Sequence, residues 1–234
     1  MSADRPMSAA GDAVPAGGFK ERLRVIAHAV LDPVTRALVA LGLRPNHVTV
    51  AGLLLSVAAG LLFFEGEFRW AAVVTAAAGV CDILDGEMAR RLGRGNVFGA
   101  FLDSTLDRLA EAAVLVGIAG FYLVHLVGLV IEPQQTVLEL SRGLEPRTWA
   151  VVSLTAMLAL VGSFMVSYTR ARAEGLGLEC KVGWFERPER MVLLIVAAAF
   201  GVGPVMPGAL ILLALLSFVT AAQRVVHVWK ITRD

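Results

Sequence analysis

The sequence predicts an all-α integral membrane protein: six transmembrane helices preceded by an N-terminal amphipathic helix at the interface. Three observations carry this. The chain of 234 residues is 57% hydrophobic and only 18% charged, far more apolar than a soluble domain of that length requires. Its apolar stretches, at 47–65, 70–88, 104–131, 147–169, 189–206 and 208–229, approach or exceed the roughly 20 residues that a helical crossing takes. They are continuous and rich in Ala, Leu and Gly, without the period-two alternation of a membrane β-barrel strand.

In chain order, residues 1–18 (MSADRPMSAAGDAVPAGG) are polar, contain Pro and Gly and lack the apolar h-region of a signal peptide, so a disordered tail is expected. Residues 19–43 place Leu23, Ile26, Val30, Val34, Leu38 and Leu41 at spacings of three and four with basic residues between them. That pattern predicts an amphipathic helix lying along the inner interface, partly interrupted at Pro33. Residues 44–234 form one six-helix domain. If the chain enters from the cytoplasm, 18 of the 21 basic residues fall on one side, leaving Arg69, Arg142 and Arg147 opposite. This asymmetry puts both termini on the cytoplasmic face of the cell membrane. Trp70, Trp149, Trp184 and Trp229 lie near span ends, as interfacial anchors do. Cys81 and Cys180 stand in different segments and suggest neither a disulfide framework nor a zinc knuckle.

The chemistry is concentrated in CDILDGEMARRLGRGNVFGAFLDSTLDRLAEA, residues 81–112. Asp82 and Asp85 are three apart and Asp103 and Asp107 four apart, so on helices each pair shares one face. The linker between them is short and rich in glycine, which predicts that the second and third spans are antiparallel neighbours whose aspartates face each other at one membrane end. Four converging carboxylates repel unless a cation sits among them. With no His nearby and Cys81 alone offering no zinc knuckle, all-oxygen ligation points to Mg²⁺ or Mn²⁺. Such ions accompany phosphates, and two of them can bridge the attacking and leaving oxygens of a phosphoryl transfer. Arg90 is placed to hold a phosphate, and the glycines allow a nucleotide to approach the backbone. Surface salt bridges between the aspartates and Arg90, Arg91, Arg94 and Arg108 are the plain alternative.

The order Asp82-x2-Asp85-Gly86-x2-Ala89-Arg90-x8-Gly99-x3-Asp103-x3-Asp107 resembles the signature of the CDP-alcohol phosphotransferases. The resemblance implies a six-helix membrane enzyme, usually a homodimer, that passes a substituted phosphate from a CDP-linked donor to an alcohol and releases CMP. It further implies that Asp82, Asp85 and Asp103 bind the metals, two Mg²⁺ or Mn²⁺ ions, and that Asp107 completes the second metal site and serves as general base. Asp82, Gly86, Ala89, Arg90, Asn96 and Gly99 would contact the donor's cytidine diphosphate. The segment RPNHVTVAG is similar to the family's entry into the first span, where Pro45, Asn46, His47 and Val48 would line the nucleotide pocket.

A second basic cluster bears on the acceptor. Arg170, Arg172, Arg187 and Arg190 gather at the same predicted edge, with Arg224 in the last span. Guanidiniums there suit an anionic phosphate on the acceptor alcohol, although the positive-inside rule accounts for some basic residues by itself. The RAR and ERPER segments and the arginine of the last span resemble the inositol-phosphate pocket of phosphatidylinositol-phosphate synthases. A CDP-diacylglycerol-type donor and inositol 1-phosphate are therefore the expected substrates, membrane lipids the surroundings, and nucleic acid no partner. Glycerol 3-phosphate would use similar arginines, yet DSTLDR lacks the DPxADK pattern of the phosphatidylglycerol-phosphate branch. An ether-lipid donor, giving an archaetidylinositol-phosphate synthase, would carry the same headgroup motifs. A small cation-coupled transporter predicts charges near the midplane and often an internal repeat, and the sequence has neither.

Overall fold

The structure, a computed structural model, describes residues 31–93, 97–131, 134, 137 and 146–233. Residues 31–40 are helical and belong to a separate compact unit, Met1–Gly42. The expected tail, and residues 19–30 of the expected amphipathic helix, lie outside the described residues. The second unit contains α1 (Pro45–Phe64), α2 (Phe68–Arg91), α3 (Val97–Ile131), α4 (Pro146–Glu174), α5 (Arg187–Ala199) and α6 (Val205–Ile231).

Local chemistry sets the helix ends. Pro45 opens α1 where no N–H is needed, and the Arg44 N–H donates to His47 Nδ1 at 3.4 Å. Gly66 turns the chain into α2 with φ of 84°, and a Cβ there would meet the Phe121 ring at 2.8 Å. Only glycine suits both demands. Pro188 lies in the first turn of α5, which follows the extended Glu186, so Arg187 and Arg190 sit at the start of that helix, as the sequence predicts.

The helices close a ring in the order α1, α2, α5, α6, α4, α3. The sequence predicts that α2 and α3 are packed neighbours; instead α1 packs against both. The reason is the small-residue face of α1. A methyl on Gly117 of α3 would fall on the Gly60 carbonyl, and one on Gly52 would press the Cys81 Cβ of α2 at 3.3 Å. Apolar helices approach closely through such small residues. The core draws Phe63, Phe68, Leu115, Ala156, Leu194 and Leu210 from all six helices, while Leu54, Val116, Leu154 and Leu215 face outward.

Four helices, α1, α3, α4 and α6, are long and apolar enough to cross a membrane. The expectation of six spans is not met by length and composition alone. The last turns of α2 carry Asp82, Asp85, Glu87, Arg90 and Arg91. The fifth expected span, 189–206, is interrupted because α5 ends at Ala199 and the chain turns at Gly201 with φ of 78°. Its 13 residues reach about 20 Å, against a hydrocarbon layer of about 30 Å. Of the tryptophans, Trp70, Trp184 and Trp229 are exposed. Trp149 packs against His125 at 4.1 Å and Tyr122 at 5.4 Å between ring centroids, away from the aspartates.

Candidate active site

The last turns of α2 bring Asp82 and Asp85, and the first turns of α3 bring Asp103 and Asp107, to one end of the ring. One carboxylate oxygen from each of Asp82, Asp85 and Asp103 lies within 4.8 Å of the other two. Asp85 Oδ2 and Asp103 Oδ1 are buried without a hydrogen-bond partner, a costly state for carboxylates. Hard oxygen donors at this separation, two of them with buried and unsatisfied lone pairs, fit a divalent cation such as Mg²⁺ or Mn²⁺.

Asp107 stands beside this group in a different relation. The Arg187 Nη1 of α5 contacts Asp107 Oδ1 at 2.7 Å and donates to Asp82 Oδ1 at 3.0 Å. Arg187 Nε is buried without a partner. One guanidinium from α5, the neighbour of α2 in the ring, thus reaches carboxylates of both α2 and α3, with a donor still unspent.

Two clefts open from the aspartates. The first, of about 630 Å³, is lined by Pro45, Asn46, Thr49, Asp85, Gly86, Ala89, Gly99 and Asp103. Five of the residues expected to contact a nucleotide therefore gather there: Pro45, Asn46, Gly86, Ala89 and Gly99. His47 turns back to the Arg44 backbone, Val48 is buried, and Arg90 donates to Glu87 at 2.9 Å. Asn96 lies outside the described residues. Thr49 lines the cleft and was missed. Its signal was legible, because a helix beginning at Pro45 returns to the same face four residues later rather than presenting four consecutive side chains.

The second cleft, of about 590 Å³, borders Asp103 and Asp107 and carries Arg108, Arg170, Arg187, Arg190 and Arg224. These arginines are not equivalent. Arg170 pairs with Glu174 at 2.8 Å and lies 3.6 Å from Glu186. Arg190 and Arg224 are buried, and their donors go inward. Arg190 forks onto Glu111 of α3. Arg224 donates to the carbonyls of Val182 at 2.8 Å and Val166 at 2.6 Å, and to Glu186 at 3.2 Å. Arg172 is exposed and outside the cleft lining. Two residues escaped the sequence reading here. Arg108 was noted only as a basic neighbour, and Glu111 not at all, though it extends the i, i+4 series of Asp103 and Asp107 into an apolar helix.

The model of the CDP-alcohol phosphatidyltransferase family matches residues 43–229. The chain belongs to that family. An archaetidylinositol phosphate synthase of Methanothermobacter thermautotrophicus is 36% identical over 89% of this chain and 93% of its own. A phosphatidylinositol phosphate synthase of Streptomyces avermitilis is 37% identical over 85% of this chain and 78% of its own. Among solved structures, the Mycobacterium tuberculosis phosphatidylinositol phosphate synthase in complex with manganese and citrate superposes with a TM-score of 0.70 at 34% identity, covering 84% of this chain and 88% of the other. Its form with CDP-DAG bound gives a TM-score of 0.69 at 33% identity over 84% and 92%.

This CDP-alcohol phosphatidyltransferase is a metal-dependent multi-pass membrane enzyme. When bound, a divalent ion supplies positive charge against the diphosphate and the departing phosphate. Asp82, Asp85 and Asp103 are the residues that would hold it.

Proposed function

We propose that the protein transfers the phosphatidyl group of a CDP-diacylglycerol-type lipid to the hydroxyl of inositol 1-phosphate, yielding phosphatidylinositol phosphate and CMP. The observation that carries this reading is the pair of clefts that share Asp103 and differ in chemistry: one lined, apart from Arg44, by small side chains, the other edged with several guanidiniums. The first suits a cytidine diphosphate, and the second suits an alcohol that bears its own phosphate. The names of the relatives point the same way.

In this reading Asp107, on the wall of the second cleft one turn beyond the shared Asp103, takes the proton of the acceptor hydroxyl as its oxygen bonds to phosphorus. The bond to the CMP phosphate oxygen breaks on the opposite side, and CMP carries away the displaced electron pair. Pro45, Asn46, Thr49, Gly86, Ala89 and Gly99 receive the donor headgroup. Arg187 and Arg170 bind the acceptor phosphate, Arg187 through the Nε that no protein group satisfies. Arg224 holds the connection before α5 in place. The enzyme works as a homodimer in the cell membrane, with α2 and α5 completing six crossings and the aspartate end facing the cytoplasm, as the distribution of basic residues supports.

The test is CMP release by purified enzyme with Mg²⁺, offering inositol 1-phosphate, glycerol 3-phosphate, free inositol and serine. Turnover with inositol phosphate is expected; turnover only with glycerol 3-phosphate would overturn the acceptor and keep the aspartate chemistry. Diacyl and diether donors belong in the same assay, because the Methanothermobacter relative favours an archaetidyl donor as the second reading.

A further inference from the structure

The Glu111–Arg190 pair is almost wholly withdrawn from solvent, at the floor of the second cleft. Arg190 is 1% exposed and Glu111 3%, and the contact is a two-pronged fork: Nε to Oε1 at 2.6 Å and Nη2 to Oε2 at 2.8 Å. Arg190 Nη1 adds the Phe185 carbonyl at 3.3 Å. A guanidinium so fully engaged has little left for a ligand. A buried ion pair of this kind is a weak source of net stability compared with an apolar pair of the same volume, so its use lies elsewhere.

Position supplies that use. Glu111 is one turn beyond Asp107 on α3, and Arg190 is one turn beyond Arg187 on α5. The two helices therefore meet in two rungs, Arg187 on Asp107 at 2.7 Å and Arg190 on Glu111 at 2.6 Å. The outer rung borders the reacting groups, and the inner rung is buried at the floor of the second cleft. We infer that Glu111 and Arg190 are positioning residues that set the register of α5 against α3 and thereby hold Arg187 on Asp82 and Asp107. This rests on the transferase reading for its catalytic consequence, but its geometry does not depend on which acceptor is used.

The two roles of Arg190 predict different behaviour. If the pair positions Arg187, Glu111→Gln and Arg190→Met lose a similar factor in kcat/KM for the acceptor, on the order of 10-fold and no more than Arg187→Ala itself loses. The losses do not add in a double-mutant cycle, and they vanish in an Arg187→Ala background. The doubly apolar variant Glu111→Leu/Arg190→Met guards against misfolding: it recovers Tm while kcat/KM for the acceptor stays low. Recovery of that kcat/KM together with Tm would reduce the pair to a structural role. A raised acceptor KM in Arg190→Met with none in Glu111→Gln would make Arg190 a ligand instead.

A second readout needs no turnover. Removing the Glu111 carboxylate should by direct Coulomb attraction weaken Mn²⁺ binding at the aspartates. Loss of Arg187 from beside Asp82 and Asp107 should tighten it, by roughly tenfold for a charge at that range. Mn²⁺ titration followed by EPR is therefore expected to show tighter binding in Glu111→Gln, matching Arg187→Ala. Weaker or unchanged binding overturns the inference. Because this arm uses no acceptor, it is decided even if the assay shows that inositol phosphate is the wrong substrate.

Discussion

The two clefts that meet at the aspartates are built on opposite plans. Apart from Arg44 at its rim, the donor-side cleft is lined by short side chains from the starts of α1 and α3 and the end of α2. The acceptor-side cleft is made of long charged side chains from α3, α4, α5 and α6. A cleft of the first kind binds through space and backbone approach, so it is sensitive to added volume. One of the second kind binds through charge, and most of its charges are already committed to one another. What distinguishes a ligand arginine from a scaffold arginine there is whether its donors are satisfied by protein, and by that measure Arg187 and Arg224 differ although both line the same wall.

Several changes should break or sharpen this contrast. The largest effect should fall in the acceptor-side cleft, one turn from the shared Asp103. Asp107→Asn is expected to lower kcat by roughly 10²–10⁴-fold, the usual worth of a general base, while leaving CDP-lipid binding, measured by equilibrium titration, nearly unchanged. Metal removal acts on both clefts at once. EDTA should abolish CMP release, with Mg²⁺ or Mn²⁺ restoring it, and Mn²⁺ at 100 times its Kd should stabilise the folded enzyme by about 2.7 kcal/mol, seen as a raised Tm.

Arg187→Ala should separate the clefts. A charged hydrogen bond is worth about 1.5–3 kcal/mol, so kcat/KM for the acceptor should fall on the order of 10- to 100-fold, with donor affinity little affected. Gly86→Val should do the reverse. A Cβ at Gly86 meets no atom closer than Arg90 Nη1 at 3.8 Å, so the fold accommodates it, and the added volume should raise the donor KM several-fold with acceptor KM unchanged. Arg172→Ala should do least. Surface substitutions usually stay within about 0.5 kcal/mol, and a clear loss of acceptor affinity in this variant would return Arg172 to the binding site.

Much of the site was legible because its signals are local. Asp82 with Asp85, and Asp103 with Asp107, depend only on helical periodicity, and Gly86, Ala89 and Gly99 follow from the same stretch of chain. His47 and Val48, which only the resemblance placed in the nucleotide pocket, do not line the donor-side cleft, since consecutive residues of a helix do not share one face. Glu111 was obscure for a different reason. A lone acid in an apolar helix gives no hint of its partner, and Arg190 is 79 residues away.

The sequence by itself determined the helical class, the apolar segments and the family's aspartate order, since periodicity, composition and spacing are properties of the chain alone. Tertiary structure decided that α1 sits against both α2 and α3, that Arg187 rather than Arg90 reaches the carboxylates, and that Arg190 and Arg224 turn inward. The physical reason is common to all three. Close approach of helices depends on where small residues on different segments coincide, and the fate of a buried charge depends on which opposite charge the packing brings to it.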